Sequence, residues 1–231
     1  MKLSFARAAM AASLMAAAAA QAQVVTVTGW TFGAGNGVDV GTPVHQGYAG
    51  GFHAVASGLG AGFDGSFETY CVDLTKFFIG PPSPALEGYS VIAGASNTDP
   101  LLAGGWGADA AAISARLGQL MTYVGSDATL VDTAAESTSL QLAIWNVIYD
   151  SDNTLAGGAF MENSGSFGTY ANALLAGSLT TVNNRNVYVL HSEQNQDFLV
   201  TTPPVPEPST YALMLAGLAG IGFVARRRTQ R

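Results

Sequence analysis

Cys71 is the only cysteine in the chain, and its chemistry depends on its surroundings. A thiolate is a strong nucleophile, whereas a buried thiol packs as a small hydrophobe, so Cys71 reads either as a reactive group or as strand filler. In an exported domain a lone cysteine cannot close an internal disulfide. Two segments stand out: Tyr70-Cys71-Val72-Asp73 and Leu140-Gln141-Leu142-Ala143-Ile144-Trp145. Other candidates are thinner. Asp150-Ser151-Asp152-Asn153 hints at an oxygen-rich calcium loop, but it lacks the EF-hand glycine and Glu162 is off its place. His45, His53 and His191 stand apart, without the spacing a zinc site needs. Gly33-Ala34-Gly35-Asn36-Gly37 fits no nucleotide motif and reads as turn glycine. No G-x-S-x-G elbow occurs. The expectation is therefore no catalytic residues, no metal, no cofactor and a protein that is not an enzyme.

The elements that position these segments follow from residue type and period. Residues 24–28 are β-branched throughout and read as a strand, which 30–32 extends; 33–41 is turn-rich. Residues 50–56, 67–74 and 89–92 read as further strands, and Pro81, Pro82 and Pro84 mark a loop. Within 67–74, Phe67, Thr69, Cys71 and Asp73 share one face, and Glu68, Tyr70, Val72 and Leu74 the other. The period then lengthens. Residues 109–124 read as a helix with Ile113, Leu117, Leu120 and Met121 on one side. Residues 133–149 read as a second helix, opened by a Thr133/Glu136 capping box and striped by Leu140, Ala143, Ile144 and Val147. A third runs over 167–175, and 187–190 and 197–200 are closing strands. The fold class expected is mainly β: a β-sandwich or barrel-like domain with a helical insert, plus a short C-terminal transmembrane helix.

The two ends read as export signals. Residues 1–22 have a basic start (Lys2, Arg7), an apolar run over 8–20 and the small-x-small cleavage site Ala20-Gln21-Ala22, which makes them a signal peptide. Signal peptidase is thus one partner, and 23–202 is the exported body. Residues 203–231 form a separate tail: Val205-Pro206-Glu207-Pro208-Ser209-Thr210, an apolar run over 211–225, then Arg226-Arg227-Arg228. The prolines forbid regular hydrogen bonding and keep the motif extended. Fifteen helical residues at about 1.5 Å each span roughly 22 Å, short of a bilayer core of about 30 Å. The arginines hold the cytoplasmic side, leaving the body outside.

Of 9 basic residues, only Lys76, Arg116 and Arg185 lie in the body, so with a formal net charge of −7 for the chain the body is strongly acidic. It repels phosphate backbones, which excludes nucleic acid as a partner. About 48% of residues are apolar, which argues against disorder.

The tail resembles the PEP-CTERM sorting signal of Gram-negative bacteria, on Pro206-Glu207-Pro208, Ser209-Thr210, the short helix and the basic terminus. The resemblance implies recognition and cleavage by an exosortase, a membrane cysteine protease. It also implies transient inner-membrane anchoring, then a cell-surface or extracellular-matrix location among exopolysaccharide and biofilm. The two body segments together resemble the thioester domains of bacterial surface adhesins. That resemblance implies an internal thioester with Cys71 supplying the thiol and Gln141 the acyl group. Tyr70, Ala143, Ile144 and Trp145 are then packing residues of the two motifs, and an amine-bearing surface target is the partner. A non-covalent exopolysaccharide-associated structural or carbohydrate-binding protein is the alternative, and a secreted hydrolase a second one. The Cys71-to-Gln141 gap of about 70 residues is shorter than those adhesins lead one to expect.

Overall fold

A computed structural model of the chain describes residues 22–42, 44–76, 80–97, 107–150, 152–163, 165 and 167–203, and in the tail Met214 and Leu218 alone. The signal-peptide reading of 1–22 therefore lies outside the described residues except for Ala22. So do the sorting motif Val205, Pro206, Glu207, Pro208 and Ser209, the basic cluster Arg226, Arg227 and Arg228, and all but two residues of the expected span 211–225. Among the described residues no helix is long and apolar enough to cross a membrane.

The body is mainly β. Strands β1 (Val24–Trp30), β4 (Phe52–Ser57), β5 (Gly65–Cys71), β6 (Leu86–Glu87), β7 (Ser90–Ala93), β9 (Asn186–His191) and β10 (Phe198–Thr202) form one curled antiparallel sheet, ordered β6-β1-β4-β5-β10-β9-β7. Alternation produces this sheet. In β4, Phe52, Ala54 and Ala56 are buried while His53, Val55 and Ser57 face out. A second, small sheet joins β2 (Asn36–Thr42), β3 (Val44–Ala49) and β8 (Met161–Glu162) in the order β3-β2-β8. Among the described residues the strand order of the large sheet runs from edge to edge without closing into a barrel.

Strand β2 lies where the sequence reads as turns. Val38 and Val40 alternate with Asp39 in a hairpin with β3, and the flanking Gly37 and Gly41 mask that pattern. Strand β5 stops at Cys71, short of the expected Leu74, because Asp73 turns the chain by accepting from the Thr75 backbone and hydroxyl.

Among the described residues three α-helices complete the body: α1 (Ala110–Val124), α2 (Ala134–Tyr149) and α3 (Gly168–Ser178). Thr133 and Glu136 form both halves of the capping box on α2. The stripe expected on α2 is in fact a full circumference, since every residue from Ser137 to Ile148 is buried. A helix buried all round is a core element packed on several sides. Its polar residues must then find partners inside the protein. Ser137 Oγ accepts from Gly51 N (2.8 Å), and Thr138 Oγ1 donates to Ala49 O (2.9 Å). These bonds fasten α2 to the chain between β3 and β4. A side chain at Gly51 would meet the Tyr70 ring at 2.8 Å, so only glycine lets the strand approach this closely.

Candidate functional site

Strand β4 begins at Phe52, opposite Thr69, so β5 runs two residues beyond its neighbour on that side. Cys71 would be left there with an unpaired amide and carbonyl. Gln141 fills the gap. Cys71 N–H donates to Gln141 Oε1 at 2.9 Å, and Gln141 Nε2 donates to Cys71 O at 2.7 Å. The carboxamide stands in for a strand neighbour, and the paired bonds fix which of its ends is oxygen. Gln141 is 0% exposed, and Cys71 is buried with it. On its other side β5 is held by β10, with Phe198 opposite Cys71 and Val72 N donating to Asp197 O at 3.1 Å.

The motif residues assemble around this pair. Ala143 and Ile144 are buried in α2, and Trp145 packs at a ring-centroid distance of 6.4 Å from Phe160. Tyr70 points at the start of α2, its hydroxyl 3.4 Å from Ser137 Oγ. Burial, softened by Ser137 and reinforced by Glu68, raises its phenol pKa to about 12. Cys71 and Trp145 line a cavity of about 210 Å³ together with Trp30, Phe52, Asp73 and Lys76.

A cluster of charges that sequence reasoning missed borders the same cavity. The side chains of Asp73 and Asp197 are wholly buried, and the Lys76 ammonium lies 3.6 Å from Asp73 Oδ2 and 3.5 Å from Asp197 Oδ1. Lys76 also donates to Ser192 O at 2.6 Å. Asp197 accepts from Ser192 N (2.8 Å) and pairs with His191 Nδ1 (2.9 Å). Burial raises the Asp197 carboxyl pKa, against the lowering by Ser192, His191 and Lys76. Burial likewise pushes the Cys71 thiol up, and the Asp73 and Asp197 carboxylates add to it. The thiol is therefore held protonated at neutral pH. The signal for this cluster was Lys76, whose only fellow lysine in the chain is Lys2.

The remaining candidates stay apart from it. His53 is surface-exposed and 3.9 Å from Glu68, and the side chain of His45 lies outside the described residues. The Asp150 carboxylate accepts from Ala159 N and Phe160 N, and Asp152 from Thr154 N, so these acids brace their own loop. Among the described residues no group of three or more His, Cys, Asp or Glu is placed to hold a metal ion.

The comparisons with known proteins bear on the tail. Residues 204–228 match the PEP-CTERM protein-sorting motif. That match supports an exported protein whose sorting is membrane-associated and whose processing is by an exosortase. No curated protein and no solved structure matches the chain, so the thioester-domain resemblance of the body rests on its own residues.

Proposed function

We propose that this chain is a surface or biofilm-matrix protein whose acidic body is an adhesion module carrying an internal Cys71–Gln141 thioester. In this reading the apolar run 211–225 anchors it transiently in the inner membrane, with Arg226, Arg227 and Arg228 on the cytoplasmic side, until the exosortase cuts near Pro206-Glu207-Pro208. The observation that carries the proposal is the buried Gln141 carboxamide, bonded at both ends to the backbone of the one cysteine. A carboxamide is a poor acyl donor unless it is oriented and polarised. The Cys71 N–H on Oε1 does both, acting as a donor to the oxygen on which charge develops under attack.

The step balances without an external reagent. The sulfur–carbon bond forms, the carbon–nitrogen bond of the carboxamide breaks, and the thiol proton leaves with the nitrogen as ammonia. Burial and the two carboxylates hold the thiol protonated, which works against attack, so the proton has to pass to the carboxamide nitrogen as the sulfur–carbon bond forms. The thioester then lasts where water is kept away, among Trp30, Phe52 and Trp145. A target amine is acylated once per molecule, with no turnover, so the protein is not an enzyme in this reading.

The test is capture by methylamine. The processed protein recovered from cells should take up one methylamine, mapped to Gln141, and release one thiol at Cys71. A thiol already free before treatment and no adduct at Gln141 would leave the non-covalent binding reading in its place.

A further inference from the structure

The cavity beside Cys71 has two features that the thioester alone does not require. Its wall combines aromatic rings, Trp30, Phe52 and Trp145, with the carboxylate of Asp73. Exposed Tyr48 borders it. Aromatic faces and a carboxylate in a sheltered space favour an organic cation. The two oxygens of Asp73 are also unequal. Oδ1 accepts from the Thr75 backbone and hydroxyl, both at 2.7 Å, and holds the turn after β5. Oδ2 is buried, takes no hydrogen bond among the described residues, and lies 3.6 Å from the Lys76 ammonium. A buried carboxylate oxygen left without a donor has unused accepting capacity.

Resting on the thioester reading, we propose that in this cavity Asp73 Oδ2 takes the proton of the incoming amine and that the ring-lined walls select slender alkylamines over branched ones. The amine enters as an ammonium between the rings and loses a proton to Oδ2. Its nitrogen bonds to the Gln141 acyl carbon while the carbon–sulfur bond breaks. A second nitrogen proton passes to the departing sulfur and restores the Cys71 thiol. The first returns from Oδ2 to solvent. The body's own Lys76 is not the acceptor, since its ammonium is committed to Ser192 O and to the two carboxylates. It acts as their countercharge. Among the described residues, the ionisable groups around Asp73 are Cys71 on β5, Lys76 on the following turn, Tyr149 on α2, and Asp197, just before β10, with His191 at the end of β9.

The test uses the processed protein carrying its thioester, with n-butylamine and tert-butylamine as probes. Asp73→Asn keeps an oxygen for Thr75 but removes the base. The variant should retain the thioester, seen as an unchanged mass deficit, while n-butylamine uptake slows about 100-fold. Asp73→Glu should recover part of the rate. A rate in Asp73→Asn within threefold of wild type, with the mass deficit intact, overturns the proposal and spares the thioester. Absence of the deficit in the wild type removes both. If Asp73→Asn does not fold, the wild type decides: its preference for n-butylamine over tert-butylamine must exceed that of a free thioester peptide, and an equal preference overturns the pocket.

Discussion

Gln141 supplies Cys71 with the two hydrogen bonds that a neighbouring strand would otherwise make, and removing it from a thiol-free protein isolates that role. In Cys71→Ala no thioester can form, while the backbone bonds to Gln141 Oε1 and Nε2 persist. Adding Gln141→Ala then leaves a buried N–H and a buried C=O unmet. Each unmet group costs about 1–3 kcal/mol, so the pair should cost about 2–6 kcal/mol. With a urea dependence of about 2 kcal/mol per M for a body of this size, the unfolding midpoint should fall by about 1–3 M. Gln141→Met in the same background separates bonding from packing. It nearly preserves volume yet loses both bonds, and it should fall almost as far as alanine. Urea titration followed by tryptophan fluorescence reads all three proteins. A midpoint shift under about 0.5 M for both substitutions would refute the strand-completing role.

Three further outcomes follow from particular contacts. Gly51→Ala places a methyl against the Tyr70 ring and should destabilise by about 1–3 kcal/mol in the same titration. Thr133→Ala removes the acceptor for Glu136 N and should cost about 1 kcal/mol, seen in thermal unfolding by circular dichroism. The Tyr70 phenol, shifted from 10.0 to about 12 in the folded protein, makes stability fall as pH rises. Between those two values the unfolded chain has released a proton that the folded protein still holds. Each such proton costs about 1.4 kcal/mol per pH unit. Tyr70→Phe should flatten this alkaline slope, leaving the contribution of Tyr89 and Tyr149, whose phenols burial also raises.

Much of the body was legible because period and composition agree there. The β-branched run opening β1, the Thr133/Glu136 box and the closing strands β9 and β10 each announce themselves locally. Strand β2 did not, because Gly37 and Gly41 weaken a strand whose pairing with β3 and β8 is set by tertiary contacts. The burial of α2 on every side was hidden by Ser137, Thr138, Ser139 and Gln141, which look like a solvated face until their hydrogen-bond partners are known. At the site, Cys71 and Gln141 are 70 residues apart, and only the fold explains their meeting: β5 outruns β4, and a carboxamide on α2 completes its edge. The charges around Lys76 escaped notice because Asp73, His191 and Asp197 come from separate segments that the neighbouring ends of β5, β9 and β10 bring together.

Intact mass of the processed protein, set against its Cys71→Ala and Gln141→Ala variants, tests the central claim most directly. Loss of ammonia predicts a wild type about 17 Da lighter than its sequence, a deficit that disappears in either variant. A wild-type mass equal to that of the unmodified chain, or a deficit that survives Gln141→Ala, would contradict it.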